Sequence, residues 1–229
     1  MEQIRINDIV IHVIRKDIKS VNIRIYPPNG EVRVTASRFI SFKRIEAFVL
    51  SNSEWIIKRH LDITAQEITT PEYQDGDTIY YLGGKLTLRI IEGEYQTHCQ
   101  ISESQELTLY IKPNSTLKSR QAAINNWYSA ELKSIFLQFI PKWENILEVK
   151  TNQITIRDVK SKWGSCNVIS AKIMFNLQLI RRPIESIEYI VVHELAHLRI
   201  RGHNAQFYAL VDSVLPSRRT AEKELKQRY

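Results

Sequence analysis

Val191-Val192-His193-Glu194-Leu195-Ala196-His197-Leu198-Arg199-Ile200-Arg201-Gly202-His203 is the stretch from which the rest of the chain is read. Apolar residues surround an H-E-x-x-H pattern at helical spacing, which predicts a helix over 184–199. Residues four apart lie on one helix face, about 6 Å from each other. Two imidazoles so placed can share one zinc ion at ~2.0–2.1 Å each. Glu194 is rotated about 100° from His193, so it need not ligate and can address a water at the metal.

A third protein ligand leaves a fourth position open for that water. His203 follows His197 by six residues, which on a continuous helix would carry it about 240° away. The helix must therefore stop first. Gly202 is the expected stop, since glycine readily takes the left-handed conformation after a helix end. A closed structural zinc site would need a fourth protein ligand, for which Cys166 is the candidate in this half of the chain. A third reading is three surface histidines with no metal. His12, His60 and His98 are isolated in sequence and read as surface or satisfied core residues.

Outward from the motif, the long amphipathic pattern from Ser115 or Thr116 predicts a helix with Ile124, Trp127, Tyr128, Leu132, Ile135, Phe136, Phe139 and Ile140 facing inward. Pro141 is expected to end or kink it. Short strands are expected over 153–157, 160–162 and 172–176. Two further helices are expected over 205–214 and 217–228, with Pro216 between them. Toward the N-terminus, alternation predicts one strand over 4–14, then strands over 21–26 and 31–35 joined by the turn Pro27-Pro28-Asn29-Gly30. A single helix capped by Ser41 follows over 42–61. Strands over 78–82 and 85–91 flank Gly83-Gly84, a hairpin turn; a second hairpin spans 97–102 and 107–111. Pro113-Asn114 is the expected domain boundary, giving a β-rich region with one helix over 1–112 and a second domain over 113–229. No internal repeat is evident.

Three stretches together resemble the bacterial YgjP-like metallopeptidases, relatives of the SprT-like and WLM zinc proteases. They are Lys162-Trp163-Gly164-Ser165-Cys166, the histidine helix, and Asn204-Ala205-Gln206-Phe207-Tyr208. The resemblance covers the second half well and the N-terminal β region more diffusely. It implies His193, His197 and His203 as ligands of one Zn2+ per chain, with Glu194 as the catalytic base. It also implies an α+β fold with a zincin-like core of minimal gluzincin type, in which a small sheet packs against the long helix and the H-E-x-x-H helix. Metzincins share the histidine spacing, but they carry Gly where Ile200 stands and need a Met-turn, and no Met follows Met174. A glutamate third ligand from the last helix, Glu222 or Glu224, is the weaker alternative to His203.

In the Trp-Gly-Ser-Cys segment Gly164 is expected at a tight turn and Trp163 in a packing role, with Ser165 or Cys166 near the site. In the family this segment leads into a strand lining the cleft. Here that strand is expected over 171–176, where an exposed edge could bind an extended peptide through main-chain hydrogen bonds. The plain alternative is a structural turn. Trp163 and Ser165 are candidates for substrate contact. Tyr208, Arg199 and Arg201 are candidates for stabilising the oxyanion, although the arginines could equally complement the helix C-terminal dipole.

The expected activity is zinc-dependent hydrolysis of a protein or peptide substrate, with Glu194 as proton carrier. The 229 residues carry 32 Lys plus Arg against 25 Asp plus Glu, and 43% are hydrophobic, which excludes wholesale disorder. Two cysteines exclude a disulfide framework. The N-terminal residues are charged throughout and no window approaches the ~18–20 apolar residues of a membrane span, so a cytoplasmic protein with no membrane association is expected. Residues 1–112 carry 14 basic and 15 acidic residues, and 113–229 carry 18 and 10. That imbalance motivates the alternative of a DNA-associated protein, either a protease acting near DNA or a binder with a structural zinc. A degenerate zincin serving as an interaction module is the third possibility. The oligomeric state is not indicated.

Overall fold

The computed structural model describes residues 2–26, 29–64, 72–94 and 96–226. The fold is mixed α+β, with three small sheets and six α-helices among the described residues. The chain forms two compact units, residues 1–70 and 71–229.

The first unit holds β1 (Gln3–Ile6), β2 (Ile9–Lys16), β3 (Asn22–Tyr26) and β4 (Glu31–Ser37) in the order β1-β2-β4-β3. The strand expected over 4–14 is interrupted because Asn7 takes a left-handed conformation, φ 50°, and turns the chain into an antiparallel pair. Strands β2 and β4 are parallel, with Ile11 opposite Val32. Alternation then puts Ile9, Ile11, Val13, Val32 and Val34 into one core with Ile45, Val49 and Ile56. Pro27 and Pro28 of the expected turn lie outside the described residues. The helix expected over 42–61 is two helices, α1 (Phe42–Ser51) and α2 (Ser53–Thr64). At the break, the Asn52 side-chain amide donates to the Phe48 carbonyl at 2.8 Å, taking the acceptor that its own backbone N–H would use in a continuous helix. Ser41 occupies the N-cap without a side-chain bond.

The second unit begins with β5 (Thr78–Tyr81), β6 (Gly84–Glu92), β7 (His98–Ile101) and β8 (Glu106–Ile111), in the order β5-β6-β8-β7. This sheet repeats the first. The outer pairs are antiparallel and the central pair, β6 with β8, is parallel. Strand starts 3, 9, 22 and 31 correspond to 78, 84, 98 and 106, and the following helices start at 42 and 117, so the offset is 75 or 76 residues throughout.

The second sheet's buried residues, Ile79, Leu86, Leu88, Leu107 and Leu109, belong to one core with those of the helices that follow. The boundary expected at 112/113 thus falls inside a continuous hydrophobic core, and the compact units divide at 70/71 instead. Helix α3 (Leu117–Leu147) is capped by Thr116, whose hydroxyl accepts from the Ser119 N–H at 3.2 Å. It runs through Pro141, because Pro141 and Leu137 lie on the exposed face, where the carbonyl released by the missing N–H turns to water. Its buried stripe is Ile124, Tyr128, Leu132, Phe136, Ile140, Trp143 and Leu147. The Tyr128 hydroxyl donates to the Tyr80 carbonyl at 2.7 Å, tying α3 to β5.

The third sheet holds β9 (Gln153–Arg157), β10 (Gly164–Asn167) and β11 (Lys172–Asn176), in the order β10-β11-β9. The strand expected near 160–162 starts at Gly164 instead. The preceding residues form a loop that the buried Asn176 holds, its amide donating to the Val159 and Lys162 carbonyls at 2.7 and 2.8 Å. Strand β11, expected to present an exposed edge, is central; the edge is β10. A 3-10 turn over Leu177–Arg181 leads to α4 (Ile184–Ala196), α5 (Ala205–Val214) and α6 (Arg218–Lys226). No helix among the described residues is long and apolar enough to cross a membrane.

Candidate metal centre

Helix α4 is apolar on most sides, so Ile187, Ile190, Val191, Val192 and Leu195 are buried and its register is fixed by the core. Tyr189, His193 and His197 recur every fourth residue and therefore share one face. The helix loosens at Ala196, earlier than expected, and residues 197–200 continue as turns, with the Ile200 N–H donating to the Ala196 carbonyl at 3.0 Å. Gly202 does not stop the helix; at φ 75° it reverses the chain after it. Asn204 then starts α5, its side-chain oxygen accepting from the Phe207 N–H at 2.9 Å.

This path returns His203 to the helix face. Ligand atoms of His193, His197 and His203 all lie within 4.8 Å of one another, the group among the described residues that could hold a metal ion. The Nε2 atoms of His193 and His203 are 2.9 Å apart. Two lone pairs cannot face each other at that distance, so either one nitrogen carries a proton or a cation takes its place. His197 Nδ1 lies 3.3 Å from the Ile200 carbonyl, which can only accept, so Nδ1 carries the proton and Nε2 presents its lone pair. His193 Nδ1 lies 3.4 Å from the Tyr189 hydroxyl. Burial pushes His193 down to about 4, with His197, His203 and Arg218 adding to the effect. Burial likewise lowers His197. In His193 and His197 burial thus favours the neutral ring and Nδ1 has a partner, which leaves Nε2 to act as a donor to a transition-metal ion. Fully buried Phe207 underlies all three rings, with centroids 4.5–5.1 Å away.

Glu194 points to the neighbouring side. It is 5% exposed, and burial pushes its carboxyl up to about 7, with Lys162 pulling the other way. It packs against β10 at Gly164: a Cβ built on that glycine would lie 2.6 Å from a carboxylate oxygen. Gly164 therefore serves a close approach rather than the turn expected. Burial, with Glu194 adding, pushes the Cys166 thiol up to about 11, which keeps it protonated, and Cys166 is not in the candidate metal group. An open cleft of about 410 Å³ runs between β10 and the histidines, lined among others by Ser165, Val168 and Arg201.

Ser165 and Arg201 thus lie at the cleft. Arg199 turns away from it: its guanidinium donates to the Leu147 carbonyl at 3.2 Å, at the end of α3. Trp163 lies under the Arg182 guanidinium, 4.8 Å from the ring centre. Tyr208 lies beside His203, ring centres 6.2 Å apart, with its face under Arg218. Glu222 accepts from Arg218 at 3.0 Å and is not a member of the candidate group. Arg218 is itself buried and donates to Asp212 at 2.6 and 3.1 Å, so α5 and α6 are clamped beneath Tyr189 and Tyr208. Sequence reasoning missed Tyr189, Phe207 and Arg218 as supports of the centre. Tyr189 carried a readable signal, since it stands four residues before His193 on the same face. Phe207 stood in one of the stretches that carry the resemblance, with no role attached to it, and Arg218 carried no signal.

A family model described as YgjP-like, metallopeptidase domain, matches residues 19–228. The chain belongs to the YgjP-like metallopeptidase family. The YgjP-like match reaches into the first compact unit and so covers more of the chain than the quoted stretches alone. Among solved structures, the metallopeptidase zymogen of Pyrococcus abyssi abylysin is similar at 24% identity, over 38% of this chain and 88% of that one, with a TM-score of 0.35. That likeness is too distant to carry either architecture or chemistry across. A search of curated proteins finds no match.

Proposed function

We propose that the protein is a zincin-type metallopeptidase that hydrolyses peptide bonds with one zinc ion held by His193, His197 and His203. The observation that carries this reading is the convergence of three imidazoles on one point beside a buried carboxylate. Zinc bound there would polarise the scissile carbonyl and acidify a water. Glu194 would accept a proton from the attacking water and hand it to the leaving amine, a role suited to a carboxyl raised toward neutrality by burial. Strand β10 offers an extended peptide a free edge along the cleft, so the substrate backbone is held by main-chain hydrogen bonds. Ser165 and Arg201 are the proposed side-chain contacts with it, and Tyr208 orients His203.

The test is direct. Metal analysis is expected to find about one zinc per chain, the single-site ligand count. Chelation is expected to abolish casein hydrolysis. Glu194→Gln is expected to keep the zinc and lose hydrolysis; equal turnover by that variant would overturn the mechanism.

A further inference from the structure

Gly164 differs from the other glycines whose surroundings are described. Gly30, Gly76, Gly83 and Gly202 have positive φ, where an L side chain is strained; Gly84 and Gly164 do not, and of these two a Cβ at Gly84 would meet only an ordinary contact, the Tyr81 carbonyl at 3.5 Å. Gly164 sits in β10 in ordinary strand pairing opposite Phe175, where alanine would normally be the better residue. What forbids alanine is the other side of the cleft. An ideal Cβ would lie 2.6, 2.7 and 2.8 Å from Oε1, Cγ and Cδ of Glu194, and real Cβ contacts do not fall below 3.0 Å.

Three of the five side-chain atoms of Glu194 are involved, so rotating the carboxylate alone does not clear the clash. The residue is also fixed from behind. Its backbone lies in the last turns of α4, between Val191, Val192, Leu195 and Ala196, all fully buried. No hydrogen bond to the Glu194 carboxylate is present among the described residues, so packing against the bare backbone of β10 is what sets its place. We propose that Gly164 is a positioning residue: the absence of its Cβ forms the seat in which the Glu194 carboxylate lies against the substrate-facing strand. The catalytic consequence rests on the proposed role of Glu194 as base; the steric coupling does not.

The experiment is a double-mutant cycle on the full-length chain, read in two ways. In metal-free protein, Gly164→Ala is expected to lower Tm by about 3–6 °C. In the Glu194→Ala background, where the clashing atoms are gone, the same change is expected to leave Tm unchanged or raise it by about 1–2 °C, as alanine replaces the poorer strand residue. Equal shifts in the two backgrounds, including failure to fold in both, would overturn the seat. In zinc-loaded protein, Gly164→Ala is expected to keep its metal stoichiometry and lower kcat about 100-fold with KM changed less than about threefold, the signature of a misplaced group rather than lost binding. An unchanged kcat in Gly164→Ala would overturn the positioning role. Absence of hydrolysis in the native protein would bear on the proposed function alone, because the Tm cycle still reports the coupling.

Discussion

The two four-stranded sheets have the same strand order, the same parallel central pair and nearly identical spacing, yet only one is built into the candidate centre's domain. They even share the places where the backbone turns left-handed: Asn7 and Gly30 in the first sheet, Leu82 and Gln105 in the second. What differs is the use of the first turn. In the second sheet, the Leu82 N–H donates to the Ile180 carbonyl at 2.8 Å and Gly83 packs against Pro183 at the start of α4. At the corresponding places in the first sheet stand Asn7 and Asp8, both exposed. The helices differ too: α3 runs unbroken for 31 residues under its sheet and the centre's elements, whereas α1 ends at Asn52. Turn and loop lengths set the strand arrangement, and a few contacts decide what the arrangement supports.

The largest effects should separate the two units by chemistry. His203→Ala removes one of three proposed ligands, and zinc affinity is expected to fall by more than the ~10–100-fold that loss of an outer partner costs. His60 in the first unit is also half-buried and hydrogen-bonded, its Nδ1 2.9 Å from the Gly30 carbonyl. His60→Ala is expected to leave zinc content unchanged. Competition against a chromogenic chelator reads both, and metal loss from His60→Ala would break the division. Within the second unit, Tyr189→Phe removes the hydroxyl beside His193 Nδ1 and is expected to weaken zinc about 10-fold while leaving its stoichiometry intact.

The contrast between the units also explains what was legible in the sequence. The histidine centre was readable because His193, Glu194 and His197 are fixed by helix periodicity, and His203 by the need to turn back. The second sheet's hairpin was readable from Gly83-Gly84. The repeat was hidden because it is conserved in turn spacing and not in residue type: leucine stands where asparagine does, and glutamine where glycine does. The boundary was misplaced because Pro113 marks a turn, and turns do not report whether a core continues beneath them. That error also created a charge contrast. Divided at 70/71, the units carry 11 basic and 8 acidic residues, net +3, and 21 basic and 17 acidic, net +4. Several basic residues of the second unit are also engaged internally: Arg182 on Trp163, Arg199 at the end of α3, and Arg218 by Asp212. The role of Gly164 could not be read, since it depends on a contact between residues 30 apart.

A smaller effect tests the turn itself. Gly83 has φ 82°, and a Cβ there would meet Pro183 at 2.9 Å. Gly83→Ala is expected to destabilise by about 1–3 kcal/mol. The matching change Asp8→Ala, on an exposed turn, is expected to stay within about 0.5 kcal/mol. Urea unfolding of the two variants compares them. Similar costs would mean that both turns are docked, contrary to the difference described.

The smallest effect concerns acid stability, and again pairs the units. In the first, Glu31 is held below its ordinary value by the Arg33 hydrogen bond, but both side chains are largely exposed. Such a pair contributes little, and Glu31→Gln is expected to be silent at every pH. In the second, Glu144 is 6% exposed near the end of α3. Burial raises its carboxyl, but hydrogen bonds from Lys150 at 2.6 Å and from the Thr151 N–H and hydroxyl at 2.7 Å outweigh that and hold it below its ordinary 4.5. A carboxyl lowered in the folded state adds stability above its unfolded value, and that stability is lost as pH falls through the folded value. Glu144→Gln is therefore expected to cost about 1–2 kcal/mol at pH near 7, since Lys150 loses its charged partner and an amide replaces the acceptor facing Thr151. The gap to the native protein should close as the pH falls well below 4.5. A gap that stays constant down to strongly acidic pH would show that Glu144 matters for its shape and not for its charge.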